Sequence, residues 1–254
     1  HPETFSVPYP YSEDGSVRWE PGTDWPDPIN TLSLLAGATK NIQFYTSVYV
    51  LPARNPMRVA KEIATLSALS GGRFDLGIGM GWMPEEFEAG GQEFRKRGKR
   101  ADEMIEVMKL LWTGEMVSFE GEFFQFDTLE MLPAPKNDIP IFVGGFSEPA
   151  LNRAANHDGW ISDMHSLKEL KVLIDNIEDK RAKAGKKNDY EHICFSCWDA
   201  FSLEGFAKMK ELGVTTMTTY PWMLYGAMND APLAEKIDGM ERFYKEVVCK
   251  LRQH

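Results

Sequence analysis

Glycines alternate with apolar residues in the stretch SGGRFDLGIGMGW, and glycine-rich turns can bind the phosphates of a dinucleotide. The dinucleotide-binding pattern is G-x-G-x-x-G at the start of a helix. Counted from Gly77 the third glycine falls on Trp82, and counted from Gly79 it falls on Pro84. The spacing therefore excludes that turn and predicts a strand whose glycines permit close approach to its backbone.

A second glycine pair precedes a predicted helix and has the chemistry of an anion site. The residues Gly144, Gly145, Phe146 and Ser147 lie between a predicted strand and that helix. Free backbone N–H groups and the helix dipole favour an anion at such a place. The alternative is a tight turn in which Ser147 is an ordinary N-cap.

Cysteine usage predicts no metal site and no disulfide framework. Cys194 and Cys197 form C-x-x-C, with His192 two residues earlier, and Cys249 is the third cysteine. The segment reads as a strand, and positions three apart on a strand point to opposite faces. The two thiols therefore cannot easily share a metal ion.

Charge and composition narrow the function classes. The 254-residue chain carries a formal charge of −10, which disfavours bulk attraction to nucleic acid or to an anionic membrane. The basic run 95–100 is either a solvated helix start or an anion-recognition patch. No apolar run reaches the ~18 residues of a membrane span, and the first residues of the sequence do not show a signal-peptide pattern. We expect a cytoplasmic protein that acts on a small molecule.

The elements that would position these residues alternate between strands and helices. Residues 1–28 are rich in Pro, Tyr and Trp and indicate a loop or lid, whereas residues 114–138 indicate a hairpin insertion. Predicted strands cover 41–50, 73–80, 139–143, 159–163, 191–200 and 214–219. Predicted helices cover 28–39, 56–69, 92–113, 148–156, 166–184 and 203–211, with a last one from 233.

This βαβα alternation indicates an α/β fold with a parallel sheet covered by helices, and no composition break marks a second domain. Two architectures compete. A doubly wound open sheet can have six strands, whereas a (β/α)₈ barrel needs eight. On the strand count alone the open sheet is favoured.

Several ordered motifs resemble a known family. The stretch TSVYVLPARNPMRVAKEIATLSALSGGRFDLGIGMGW is followed by EEFEAGG, RGKRADE, LLWTGEMVSFEGEFFQF and PIFVGGFSEPALNRAANHDGW. Together they are similar to the bacterial luciferase-like flavin-dependent oxidoreductases. Within that superfamily the chain looks most like the branch that depends on the deazaflavin coenzyme F420.

The resemblance implies a single-domain (β/α)₈ TIM barrel of the luciferase-like type, covering residues 1–254 and lacking its first two strands. Members normally carry about thirty residues before the point that matches His1, including a histidine or acid at the end of the second strand. A flavin-type ring would lie at the C-terminal mouth of the barrel. The glycine turn at 144–147 would bind the cofactor phosphate, as phosphate sites after late barrel strands commonly do.

The resemblance also implies roles for residues at other strand ends. Ser47 and Val48 align with a strand end at which many relatives have a non-proline cis peptide bond beneath the ring. Gly79 and Gly81 would leave room for that ring. We expect cofactor binding by the following residues: Ser47, Val48, Gly79, Gly81, Gly144, Gly145, Phe146 and Ser147.

Substrate and catalytic residues are less well defined by the motifs. Trp82 stands where some sugar-phosphate dehydrogenases of the superfamily have a proton-donating acid, which argues against that specific chemistry here. We expect Trp82, Tyr220 and Trp222 to contact substrate. Candidate catalytic groups are His165 and Glu85. Each also has an ordinary reading, as a loop histidine and as an acid in the first turn of a helix.

Three functions follow from these expectations. The favoured one is an F420-dependent oxidoreductase that transfers hydride to or from a small organic substrate, with the basic run 95–100 meeting the acidic tail of the cofactor. The alternative is an FMN-dependent monooxygenase that uses molecular oxygen. The third is a non-catalytic barrel homologue that acts as a binding or partner subunit. We expect a homodimer and no metal ion.

Overall fold

A computed structural model describes residues 5–252 of the chain, which divides into two compact units, 1–141 and 142–254. Residues 5–27 of the first unit contain no regular helix or strand. The elements that follow are α1 (Pro28–Ala38), β1 (Phe44–Tyr45), β2 (Tyr49–Val50), α2 (Pro56–Ser70), β3 (Phe74–Gly79), α3 (Pro84–Ala89), α4 (Arg97–Leu111), β4 (Val117–Glu120) and β5 (Gln125–Leu129). A short 3₁₀ helix, Leu51–Ala53, follows β2.

Helix α2 shows how local sequence fixes an element of the first unit. The Asn55 side chain accepts hydrogen bonds from the amides of Met57 and Arg58, and Pro56 occupies the first helical position. Gly71, with φ of 76°, ends the helix in the left-handed conformation that glycine adopts most easily. The helix therefore begins and ends where its capping residues stand.

The prediction of one continuous strand over 41–50 is wrong, because the structure has two short strands there, β1 and β2. In β1, Phe44 pairs with Phe74 and Tyr45 with Asp75; in β2, Tyr49 pairs with Ile78. The first strand therefore advances four residues (45 to 49) while β3 advances three (75 to 78). One extra residue forms a bulge between β1 and β2, and we call residues 46–48 the bulge.

The predicted hairpin is confirmed and is fixed by one carboxylate of α4. Strands β4 and β5 pair in antiparallel fashion. Glu103 accepts hydrogen bonds from the amides of Glu122, Phe123 and Phe124 at 2.9, 2.8 and 2.7 Å. A charged acceptor with three backbone donors is a strong local contact.

The start of α4 differs from the predicted 92–113 helix. The amide of Gln92 donates to the Phe87 carbonyl at 2.8 Å, and the Phe94 ring lies 5.3 Å from that of Phe87. These contacts form a turn after α3, a helix that the sequence pattern did not predict. Helix α4 therefore begins only at Arg97.

The second unit continues the alternation of strands and helices. Its elements are β6 (Ile141–Gly144, whose first residue belongs to the first unit), α5 (Glu148–Ala154), β7 (Gly159–Ile161), α6 (Leu167–Lys183), β8 (Glu191–Phe195), α7 (Leu203–Glu211), β9 (Thr216–Thr218), a 3₁₀ helix (Pro221–Tyr225), α8 (Leu233–Phe243), a π-helical turn (Tyr244–Val248) and α9 (Cys249–Leu251). Parallel pairs join β6 to β7, β7 to β8 and β8 to β9. The predicted parallel α/β arrangement is confirmed within this unit.

Burial in the second unit follows the strand pattern of a sheet covered on both faces. Val143, Trp160 and Ile193 are at most 2% exposed. Helix α6 begins with a capping box, because the Ser166 hydroxyl and the Glu169 carboxylate each bond to the backbone of the other residue. Across residues 5–252, every helix is too short or too polar to span a bilayer.

Candidate functional site

The predicted cofactor residues of the first unit lie at the C-terminal end of β3. The Ser47–Val48 peptide bond is cis, as the resemblance implies. Ser47 is exposed and the Val48 side chain is 38% exposed. The bulge therefore presents an accessible aliphatic side chain beside the last residue of β3, Gly79, which is buried.

Gly79 and Gly81 leave room for protein side chains. A Cβ atom at Gly79 would lie 2.4 Å from Cγ2 of Val48. A Cβ atom at Gly81 would lie 2.7 Å from the Phe87 ring and 2.8 Å from Cγ1 of Val50. The nearest groups to both glycines are neighbouring side chains, which only glycine lets approach so closely, and the expectation that these glycines make room for the ring stays a prediction.

Trp82 packs against the amino-terminal segment of the first unit. Its ring lies 5.4 Å from the Phe5 ring and 5.2 Å from the Tyr9 ring. Tyr9 also contacts the ring of Trp19 at 5.3 Å. The predicted lid therefore covers the residue that we expect to contact substrate.

Glu85 is positioned by the same segment. Its Oε1 accepts a hydrogen bond from the Ser6 amide at 2.7 Å. The pKa of Glu85 lies below its usual value because the Ser6 side chain and the backbone amides of both residues donate to the carboxylate. The carboxylate is therefore ionised near neutral pH, which makes it a poor proton donor.

The basic run is mostly engaged within the first unit. Arg97 donates through Nε to the Gly81 carbonyl at 3.0 Å, and its guanidinium lies 3.8 Å from the Phe94 ring centroid. Arg100 is buried and donates to the carbonyl of Pro52 at 2.7 Å. Lys96 forms an ion pair with Glu122 at 3.0 Å. Three of its cations therefore have partners within the unit, and recognition of an acidic tail by the run stays a prediction.

In the second unit, the glycine turn after β6 has the geometry of an open backbone turn. Gly145 has φ of 106°, a conformation that strongly favours glycine. Its carbonyl accepts a hydrogen bond from Nε1 of Trp160 at 2.8 Å, which fixes the turn. Ser147 is the N-cap of α5, although its side chain makes no capping hydrogen bond.

The polar surroundings of this turn suit an anion only in part. Within the described residues, the amides of Gly145 and Ser147 donate to no protein acceptor. Glu148 places a negative charge in the first turn of α5, but Lys180 forms an ion pair with it. That ion pair lowers the pKa of Glu148 and offsets its charge near the turn.

His165 lies beside the glycine turn. Its ring meets the Phe146 ring edge to face at 5.7 Å, and its carbonyl accepts a hydrogen bond from the Trp198 amide at 3.3 Å. The second unit therefore brings together one candidate catalytic residue and one candidate cofactor residue.

The aromatic residues after β9 form a separate group. The rings of Tyr220 and Trp222 lie 5.7 Å apart, and Tyr220 is 49% exposed. Trp222 packs on α8, where a Cβ atom at Gly239 would lie 2.6 Å from its Cα. A cavity of about 410 Å³ lies next to this group, lined in part by Tyr225, Asp238 and Arg242.

The C-x-x-C pair does not have the environment of a reactive site. The strand ends at Phe195 rather than at the predicted residue 200, so Cys197 lies beyond it. Burial raises the pKa of Cys194 to about 12 and that of Cys197 to about 11. Both thiols therefore remain protonated at neutral pH.

Sequence reasoning missed Thr46, which is 4% exposed in the bulge. Its hydroxyl donates to the Gly77 carbonyl at 2.7 Å and accepts from the Gly77 amide at 3.1 Å. A threonine is ordinary in a strand. The alternating glycines opposite it mark the strand but do not identify this contact.

Comparison with known proteins gives one family. The sequence profile of the luciferase-like monooxygenases matches residues 3–197. An uncharacterised protein of Mycobacterium tuberculosis is 37% identical over 244 residues, which cover 96% of this chain and 84% of that protein. The FMNH₂-dependent dimethylsulfone monooxygenase of Pseudomonas fluorescens is 31% identical over 152 residues, covering 58% of this chain and 42% of the enzyme.

A solved structure shows the fold. The coenzyme F420-dependent tetrahydromethanopterin reductase of Methanopyrus kandleri superposes with a TM-score of 0.71 at 17% identity, covering 88% of this chain and 87% of the reductase. The fold is therefore of the luciferase-like TIM-barrel type, which corrects the open sheet that strand counting favours. The chain belongs to the luciferase-like monooxygenase family.

Proposed function

We propose that this protein is an oxidoreductase that binds coenzyme F420 and transfers hydride to or from a small organic substrate. Family membership supports a flavin-type cofactor, and the observation that carries the proposal is the bulged strand end with Val48 exposed beside Gly79. The choice of F420 is supported by the fold likeness to an F420-dependent enzyme over 88% of the chain.

Each unit, taken by itself, has features that suit one part of a ring compound that bears a phosphate. In the first unit, Val48 offers an exposed aliphatic surface on which one face of a planar ring can lie. In the second unit, Gly145 and Ser147 have amides without a protein acceptor among the described residues, and such groups bind phosphate well. When bound, the cofactor supplies the hydride chemistry, while the protein supplies placement and exclusion of water.

The chain's own residues have separable tasks. The lid segment, through Phe5 and Tyr9, covers Trp82 and would exclude water from the substrate. Glu85, held ionised by its hydrogen bonds, would accept a hydrogen bond from a substrate hydroxyl. His165 is the second candidate for proton transfer, and Tyr220 with Trp222 would form an aromatic wall.

Titration with both cofactors tests this proposal. Purified protein is titrated with F420 and, separately, with FMN, and the cofactor fluorescence is followed. We expect F420 to bind at least tenfold more tightly, a difference of about 1.4 kcal/mol. The ion pair of Lys96 with Glu122 offsets one positive charge of the basic run, which makes this a demanding test of the tenfold preference.

A second function has its own supporting observation. The dimethylsulfone monooxygenase is 31% identical and, by its name, depends on FMNH₂. Tighter binding of FMN, together with substrate-dependent oxygen uptake, would favour an FMN-dependent monooxygenase. Binding of neither cofactor would contradict both enzyme proposals and favour a non-catalytic homologue. We also propose a homodimer, which sedimentation of the same sample would test.

A further inference from the structure

We propose that Thr46 is a positioning residue for the cofactor site: its hydroxyl fixes the bulge against Gly77 and so determines where Val48 lies. The inference rests on the proposed function, because it gives the bulge a role in cofactor binding. It concerns a residue that contacts neither the ring nor the substrate in that proposal. Three observations support it. They are the pairing register of β1 and β2 with β3, the two hydrogen bonds between the Thr46 hydroxyl and Gly77, and the close approach of Val48 to Gly79.

The register creates the need for a bonding partner. The pairing of Tyr45 with Asp75 and of Tyr49 with Ile78 leaves an unequal number of residues between the two pairs. A bulge of this kind interrupts the ladder and leaves backbone groups of the regular strand without their usual partners. Gly77 lies opposite the bulge and is buried, so its amide and carbonyl need partners other than water.

The Thr46 hydroxyl supplies both partners. A hydroxyl is one donor and also an acceptor, and in a parallel ladder the N–H and C=O of one residue point toward the same neighbour. The bonds of 2.7 Å to the Gly77 carbonyl and 3.1 Å from the Gly77 amide use both capacities. The side chain therefore replaces the backbone of the missing pair and ties the bulge to β3.

The glycines of β3 make the location of Val48 sensitive to this tie. Cγ2 of Val48 fills the space that a Cβ atom at Gly79 would occupy, and Cγ1 of Val50 does the same at Gly81. Val48 thus lies against the backbone of the last residue of β3, and Val50 lies against the backbone two residues beyond it. A shift of the bulge would lift Val48 from Gly79 and change the surface on which the ring would lie.

Removal of the hydroxyl without a change in size tests the proposal. Thr46→Val is nearly isosteric, and Thr46→Ser keeps the hydroxyl. The matched control is Thr65→Val on α2, which removes a hydroxyl bonded to the Lys61 carbonyl at 2.7 Å. For each protein, F420 and FMN are titrated by fluorescence, amide exchange of Gly77 is measured, and thermal unfolding is recorded.

We expect Thr46→Val to weaken binding of the preferred cofactor at least tenfold and to accelerate Gly77 exchange. Thr46→Ser and Thr65→Val should bind within threefold of the wild type. Equal binding by Thr46→Val would overturn the proposal. So would a Thr46→Ser protein as weak as Thr46→Val, because the methyl group would then be the essential part.

The experiment also decides the case in which Thr46→Val does not fold and the case in which the wild type binds neither cofactor. If Thr46→Val does not fold, Thr46→Cys is compared with Thr46→Ser by the same criterion, because a thiol is a weak hydrogen-bonding group of similar size. If the wild type binds neither cofactor, the proposed function fails. Gly77 exchange then still decides whether Thr46 fixes the bulge, and equal exchange rates in the wild type and Thr46→Val would overturn the inference.

Discussion

Thr46 in the first unit and His192 in the second are both buried polar side chains beside parallel strands, but their hydrogen bonding differs. The Thr46 hydroxyl bonds to both backbone groups of Gly77. His192 bonds through Nε2 to Glu178 at 2.8 Å, whereas its Nδ1 has no partner among residues 5–252. The first side chain completes a strand ladder, and the second lies in an incompletely paired polar cluster.

The cluster around His192 contains further buried polar atoms that have no hydrogen-bond partner among the described residues. The Arg181 guanidinium lies 3.9 Å from the Tyr190 ring centroid, and the rings of Tyr190 and His192 are 4.9 Å apart. Nη1 of Arg181 and the hydroxyl of Tyr190 are buried without a hydrogen-bond partner in the described chain. An unpaired buried polar atom lowers the stability of the fold, so its removal should not lower the free energy of unfolding. Removal of a paired polar atom should lower it.

The largest effect should come from a change at Gly79. Gly79→Ala would place a Cβ atom 2.4 Å from Cγ2 of Val48, so the bulge or β3 must shift. We expect the free energy of unfolding to fall by about 2–3 kcal/mol, as for other overpacked sites, and cofactor binding to be lost. Urea unfolding and cofactor titration measure the two effects.

The control for that change is Gly37→Ala in α1, where a Cβ atom would have no neighbour within 4 Å. Alanine favours a helix over glycine by up to about 1 kcal/mol, so this variant should be slightly more stable than the wild type. A Gly79→Ala protein as stable as Gly37→Ala would show that Val48 can move without cost.

The next largest effect should come from removal of the Thr46 hydroxyl. Thr46→Val should lower the free energy of unfolding by about 1–2 kcal/mol, because it leaves two buried backbone groups of Gly77 unpaired. Thr65→Val, whose hydroxyl bonds a helix carbonyl that is already paired, should change it by less than about 0.5 kcal/mol. Equal losses for the two variants, measured in urea, would refute the special role of Thr46.

Much of the fold could be predicted from the sequence because local signals suffice. Asn55 with Pro56 marks the start of α2, and Ser166 with Glu169 marks that of α6. The hairpin followed from alternating aromatic residues around a turn. The barrel class did not follow from the periodicity, because six predicted strands favour an open sheet over an eight-stranded barrel, and it needed the family motifs.

The details of the site could be predicted only in part. The cis bond at Ser47 followed from resemblance, but the bulge did not, because its register depends on pairing with β3. A glycine is needed at position 79 because the Val48 side chain occupies the space of a Cβ atom there. Val48 lies 31 residues earlier, and no local sequence pattern connects the two residues. The composition of the basic run 95–100 is typical of a solvated helix start or an anion-recognition patch. Arg100 is nevertheless buried, and its guanidinium donates hydrogen bonds to the carbonyls of Pro52 and Arg54.

A smaller effect concerns pH and the second member of the comparison. Burial lowers the pKa of His192 from its ordinary value of 6.5 despite the bond to Glu178. In the unfolded chain the histidine binds a proton more readily, so its contribution to stability is complete above pH 6.5 and decreases as the pH falls. His192→Gln should therefore lose less stability than the wild type between neutral and mildly acidic pH.

Urea unfolding of both proteins above and below pH 6.5 measures this difference, and all other titrating groups are common to the pair. Equal losses would mean that the folded and unfolded states bind protons alike at His192. A greater loss in His192→Gln would mean that the bond to Glu178 outweighs burial.

The smallest effect is also the strictest test of the comparison. Tyr190→Phe removes a buried hydroxyl that has no partner in the described chain, while the ring remains available to the Arg181 guanidinium. Burial also raises the pKa of Tyr190 well above its usual value, so the hydroxyl carries no charge that could stabilise the nearby cation. Removal of an unpaired polar atom avoids its desolvation cost. We therefore expect the free energy of unfolding to stay constant or to rise by up to about 1 kcal/mol, measured in urea at neutral pH. A loss as large as that of Thr46→Val would mean that the Tyr190 hydroxyl has a partner, such as an ordered water molecule, and that the two regions are satisfied alike.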